Sequence, residues 1–383
     1  MHIKGSYDAA ILDEQMHTVC IHKSIWSSKL VFDAWQSDLR LLVSLLLLIL
    51  GGKMKKTLSW LIKAFVSGVL AFSILTLFCV FYYNLPVHSP TLDGATDYSW
   101  EINKFYSRGT EGFAWGKTNN EGYINLYDYE AGMDIDVLVM GSSHMEGYNV
   151  AMDEHTAAQL DAMYKDGLVY NIGTSGHTFL TCAQNLEKAL EKYSPEYVVI
   201  ETSSVSFSEA NINKVIEGKF EELSSHSSGI IGLLQRNQLL RLLYSQLSNW
   251  MDKPAESTAD NNENNQPETN LENSYLTMLG QLSEIAEAHG TKLIIMYHPK
   301  VKIDTKTGLA LSTDNEDAQN FAKYCRQSGI EFVDMSERFF AEYNTNHILP
   351  HGFTNTSVGQ GHLNKYGHKM IAEELYKIIG GKG

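Results

Sequence analysis

Positive charge is the first thing this chain lacks. Its 30 Lys and Arg face 45 Asp and Glu, a formal net charge of −15. A nucleic-acid binder needs a basic face for phosphates, so that class is excluded; the balance fits a soluble body that avoids anionic surfaces. Cysteine is scarce as well, with 4 in 383 residues. Cys79 lies in an apolar run, Cys20 near the start, and only Cys182 and Cys325 fall in the body. That pattern excludes a disulfide framework, and no CxxC or Cys/His zinc spacing occurs. No internal repeat is present. Carboxylates are missing from one stretch that matters below: no Asp or Glu occurs between Glu342 and Glu373.

Residues 1–53 show no sustained period, and their apolar run at 41–50 is too short to span a bilayer. Then comes "GGKMKKTLSWLIK". Met54-Lys55-Lys56 before a long apolar segment is how a bacterial membrane-targeted protein begins. Gly51-Gly52-Lys53 before Met54 can be encoded by a purine-rich ribosome-binding sequence. The natural start is therefore expected at Met54, with 1–53 a non-native upstream extension. Residues 64–83 are free of charge and long enough to span a membrane. Lys63 can snorkel at the edge, and Trp60 and Phe81-Tyr82-Tyr83 resemble interfacial aromatic belts. No small-x-small cleavage site follows ("FYYNLPVHSP"), so an uncleaved anchor over 54–84 is expected. Lys53, Lys55, Lys56 and Lys63 precede the run, which puts the N-terminus in the cytoplasm and the rest outside.

Residues 85–133 are an aromatic-rich lead-in. Tyr98, Trp100, Phe105, Tyr106, Phe113 and Trp115 are read as ordinary packing, with a sugar-binding surface as the alternative. From Asp134 strands alternate with helical patterns. "DVLVMGS", "LVYNIGTSG", "EYVVIETSS", "KLIIMYHP" and "IEFVDMS" read as strands. Helices are predicted over 153–165, 177–193, 228–250, 272–289, 315–327 and 364–379. The pattern predicts an α/β domain over 134–383: a three-layer, doubly wound, mostly parallel sheet preceded by one transmembrane helix. Residues 252–273, almost without apolar side chains, read as a disordered polar insertion.

Ligands in such a sheet bind at the carboxyl ends of the strands. Three polar turns lie there: Gly141-Ser142-Ser143-His144, the run from Asn171 to His177, and Glu201-Thr202-Ser203-Ser204. A fourth group is "HGFTNTSVGQGHLNKYGH". Serine nucleophiles need a base for the hydroxyl proton and donors for the oxyanion. A serine past a strand, a glycine whose N–H can approach a substrate, and a histidine before the last helix supply those roles in a consistent order.

The set resembles the SGNH/GDSL hydrolase superfamily over about residues 134–380. Gly141-Ser142-Ser143 matches the first block, Asn171-Ile172-Gly173-Thr174-Ser175-Gly176 the second, and "GHLNKYGHKMIAEEL" the last. The resemblance implies Ser143 as nucleophile, His362 as base, Ser143 and Gly176 N–H groups in the oxyanion hole, and Gly367 as the downstream glycine. Three positions depart from the pattern. Ser142 stands where the family has an acid. Thr202, Ser203 or Ser204 would have to supply the third block's donor. Gly359 stands three before the histidine, where the orienting aspartate belongs. A backbone carbonyl or a distant acid such as Glu201 would then have to orient His362. With its anchor, the chain is similar to the membrane-anchored branch of alginate-acetylation-type and D-alanyl-lipoteichoic-acid-type proteins. That implies acyl, chiefly acetyl, transfer onto a cell-envelope polysaccharide beside a multi-pass membrane O-acyltransferase. The alternatives are an esterase of the same fold, an inactive SGNH-like partner, and an envelope-binding module using the aromatic lead-in.

Other residues carry weaker expectations. Ser142, His144 and Asn171 are candidate substrate contacts, and His351 is an alternative base. His177 is read as a cap or surface residue, and His298 as a loop residue. His347, His351, His362 and His368 are too loosely spaced for a metal cluster, so neither a metal nor a cofactor is expected.

Overall fold

The computed structural model describes residues 52–86, 88–90, 98–164, 167–220, 237–251, 268–304, 306–310 and 315–380. The expected extension 1–53 therefore lies almost wholly outside the described residues, as does 252–267 of the polar insertion. The chain divides into two compact units, Met1–Ile74 and Leu75–Gly383.

Helix α1 (Gly52–Tyr82) holds a stretch, Lys56–Tyr82, long and apolar enough to cross a membrane. Its 27 residues rise about 40 Å, more than the roughly 30 Å hydrocarbon layer. Phe65, Leu70, Leu77 and Phe78 are exposed, a surface that favours lipid over water.

The lead-in is not a tether. It forms β1 (Tyr83–Asn84), β2 (His88–Pro90), β3 (Tyr98–Trp100), β4 (Phe105–Arg108) and β5 (Ala114–Lys117). β1, β4 and β5 make one antiparallel sheet, β2 and β3 another. Tyr106 and Trp100 are buried and pack edge-on against Tyr148 of the main domain. Those two aromatics are packing, as expected, whereas Phe105, Phe113 and Trp115 are exposed.

The main domain then runs β6 (Val137–Met140), α2 (Ser143–Glu146), α3 (Thr156–Met163), β7 (Val169–Asn171), α4 (Phe179–Gln184), α5 (Leu186–Tyr193) and β8 (Tyr197–Thr202). α6 (Glu209–Ile216), α7 (Gln238–Met251), α8 (Glu268–Ala288), β9 (Lys292–Tyr297), α9 (Glu316–Gln327), β10 (Glu331–Asp334), α10 (Ser336–Asn346) and α11 (Lys365–Ile379) follow. The five strands are wholly parallel, in the order β10-β9-β8-β6-β7. All four β6 residues are buried, which is why the sequence shows a continuous apolar run and not alternation. Period-2 geometry splits them: Leu138 and Met140 face one helix layer, Val137 and Val139 the other. The chain moves from β6 outward to β7, then back across β6 to β8. β6 is thus the switch point, where an open α/β sheet leaves its crevice.

Three expectations need correction. The helix predicted over 177–193 is two helices that meet at Asn185, whose φ −100° and ψ 4° leave the helical region. α8 begins at Glu268, inside the stretch read as disordered; Leu271 and Tyr275 give that end apolar side chains, and Tyr275 is buried. α10 was not foreseen, because its buried contact is essentially the single Phe339.

Candidate active site

The crevice is built around the end of β6. Gly141 is needed there because a Cβ would come within 2.6 Å of the Glu201 carboxylate. Ser142 then caps α2, its hydroxyl accepting from the His144 N–H at 3.2 Å. The cap puts Ser143 at the first helical position, half-buried and facing the crevice.

Ser143 Oγ lies 2.8 Å from His362 Nε2. His362 Nδ1 lies 2.7 Å from Glu111 Oε2, and the His362 backbone N–H donates to Glu111 Oε1 at 2.7 Å. A carboxylate only accepts, so Nδ1 carries the ring hydrogen and Nε2 is left to accept from the serine hydroxyl. Burial alone would raise the Glu111 carboxyl. The bonds and charge of His362, with Arg108 at 3.3 Å, outweigh it and hold the group at about 2. The orienting acid is therefore Glu111. It lies in the lead-in, neither three residues before His362 nor at Glu201. Two features fix it. Asn355 accepts from the Gly112 N–H and donates to the Gly109 and Gly112 carbonyls, all within 2.9 Å. Gly361, at φ +91°, leaves room for the carboxylate, with which a Cβ would collide.

Sequence reasoning missed Glu111 because it sought the acid three residues before the histidine or at a strand end, at Glu201, and Glu111 is at neither place. The available signal was an acid between glycines in "RGTEGF".

Glu201 does something else. It is buried, 2.7 Å from His298 Nε2, and accepts from the Ser142 N–H at 2.7 Å. Burial would raise it, but His298, His144 and that N–H hold it at about 2. His351 is not placed as a base towards Ser143: its Nε2 is 3.3 Å from His298 Nδ1, and burial beside His298 pushes it down to about 2. His298, in the loop just past β9 as expected, is thus also part of this buried chain. His144 packs its ring 4.7 Å from His298 and 5.1 Å from His362. Burial, then His298, holds it neutral.

Among the described residues one group brings possible metal-ligating atoms within 4.8 Å of one another: His144, His298 and His351. It is not the set weighed from the sequence. His144 Nδ1 accepts from the Leu363 N–H at 3.2 Å, so its Nε2 carries the hydrogen and has no lone pair for a metal. His298 and His351 share a hydrogen bond, and His144 packs its ring against both.

Asn171 is no substrate contact. Fully buried, it donates to the Ile124 and Met145 carbonyls and accepts from the Gly173 N–H. It ties the second turn to α2. The same turn is held by Ser175, whose hydroxyl donates to Glu146, as does the Trp100 indole. Burial pushes Glu146 up to about 7 against those two bonds. Gly176 is exposed past this turn, and Ser203 is exposed past β8.

No protein-family model and no curated protein matches the chain. Solved structures do. An acetyl xylan esterase, AlAXEase, is 13% identical over 64% of this chain and 99% of its own, with a TM-score of 0.37. A catalytic mutant of Axe2, an acetylxylan esterase from Geobacillus stearothermophilus, is 13% identical over 66% and 96%, at 0.36. A protein of the lipolytic G-D-S-L family from Desulfitobacterium hafniense DCB-2 is 13% identical over 64% and 99%, at 0.34. Likeness at this level carries no weight for activity, which rests on the chain's own geometry.

Proposed function

We propose that this chain is a serine-dependent acyl enzyme acting on carboxylic esters. The observation that carries it is the unbroken Ser143–His362–Glu111 chain, with each link at hydrogen-bond distance. Ser143 attacks the acyl carbonyl as His362 Nε2 takes its proton, and Glu111 holds the imidazolium that forms. The Ser143 and Gly176 N–H groups, with Ser203 as a further donor, receive the oxyanion. The ester alcohol leaves with the proton from His362. Water, or an acceptor hydroxyl that has given its proton to His362, then releases the acyl group.

The finer reading is transfer of acetyl onto a cell-envelope polysaccharide, on the outer face of the membrane that α1 would span. A membrane-length helix ahead of the domain supports it. The inactive-partner reading rested on a missing orienter and a missing third-block asparagine, and Glu111 fills the first of those places.

The test is turnover of an activated acetyl ester and labelling by a fluorophosphonate, using the full chain. Wild type is expected to turn over the ester and carry label on Ser143. Ser143→Ala is expected to lose at least roughly 10³-fold in rate. Equal rates, or label elsewhere, overturn the proposal.

A further inference from the structure

We propose that the domain lies against the lipid surface, seated on one face of the small β1-β4-β5 sheet and on α7. The inference rests on α1 as a membrane anchor and adds a location to the site described above.

The register of the small sheet carries the argument. Ser107 pairs with Trp115 and with Asn84, and directly opposed residues share a face. The Ser107 hydroxyl donates to the Val80 carbonyl in the last turn of α1 at 2.9 Å. Trp115 therefore shares its face with the end of the apolar helix. Phe113 and Phe105 lie two residues from Trp115 and Ser107, on that same face. Phe113 is 67% and Trp115 57% exposed, their rings 6.1 Å apart. The other face is occupied: Tyr106 is fully buried against Tyr148.

α7 adds a second strip at the same place. Gln238 donates to Asn84, and Arg241 to the Leu85 and Pro86 carbonyls just beyond α1. Leu243 and Leu247 are 56% and 54% exposed, with Tyr244 beside them. Their spacing makes one helical stripe. In a chain of net charge −15, the 14 residues of α7 include no acid. Apolar stripe, aromatic pair and Lys117, on the Trp115 face of β5, are what a membrane–water boundary selects. Glu111 stands two residues before Phe113, so the site opens close to that boundary.

The full chain in phosphatidylcholine vesicles tests this. A fluorophore would be placed at Trp115→Cys, Leu243→Cys or, as reference, Lys323→Cys, in a Cys20→Ser background. Spin-labelled acyl chains are expected to quench the first two severalfold more than the third. Equal quenching, or quenching that needs an added membrane protein, overturns the lipid surface as occupant. Leu243→Glu with Leu247→Glu is expected to lower quenching at position 115 and leave turnover of a water-soluble acetyl ester unchanged. A full set of quenching differences without any ester turnover would sink the chemical reading and leave the seating intact.

Discussion

At the scale of single residues, the site depends on a carboxylate that reaches His362 from 251 positions away. Glu111→Gln keeps the shape and loses the charge that holds the imidazolium. Its kcat on an activated ester is expected to fall roughly 10³- to 10⁴-fold. Gly361→Ala attacks the same group from the other side, through the collision with Glu111 and the positive φ. It is expected to approach Glu111→Gln in rate and to cost about 1–3 kcal/mol of stability. Wild-type rates in either variant would remove Glu111 from the mechanism. Ser143 and His362 were legible because each belongs to a block whose order along the chain matches its order in space. Glu111 belongs to no block. Its position follows from a turn-to-loop contact that no periodicity records.

At the scale of elements, the parallel strands were readable because burial on both faces writes uninterrupted apolar runs. The lead-in was less so, since strands of two to four residues are too short to show a period. It nonetheless brings Glu111 to His362 and Trp100 to Glu146, so it is part of the site. What locks its turn is Asn355, with three hydrogen bonds to 109–112. Asn355→Ala is expected to lower kcat about 10- to 100-fold by letting Glu111 drift. The stability loss should be only about 1–3 kcal/mol. Steady-state kinetics and thermal melting read both; a fall in stability with unchanged kcat would mean that the clamp has no part in positioning.

At the scale of the molecule, three buried or half-buried carboxylates pull stability in opposite directions with pH. Glu111 and Glu201 sit at about 2, below their ordinary value of 4.5. Their contribution is full above about 4.5 and is lost as pH falls towards 2, because the unfolded chain takes up protons first. Glu146 sits at about 7, above its ordinary 4.5. Between those values the folded chain holds the extra proton, so stability falls as pH rises from about 4.5 to 7. Deprotonated Glu146 is a buried anion whose partners, the Ser175 hydroxyl and the Trp100 indole, are both neutral. Glu201, by contrast, accepts from the Ser142 N–H and lies at hydrogen-bond distance from His298. The buried or half-buried histidines held below their ordinary value, His144, His155, His177, His351 and His368, act the other way up to about 6.5. The Glu146 contribution is therefore read from the difference in melting temperature between wild type and Glu146→Gln across pH. Glu146→Gln keeps the shape without the titration. Relative to wild type it should gain melting temperature as pH rises from about 4.5 to 7 and keep the same slope below about 4.5. Identical slopes for wild type and Glu146→Gln would show that Glu146 is charged throughout, and the Ser175 turn would then be held by an anion at every working pH.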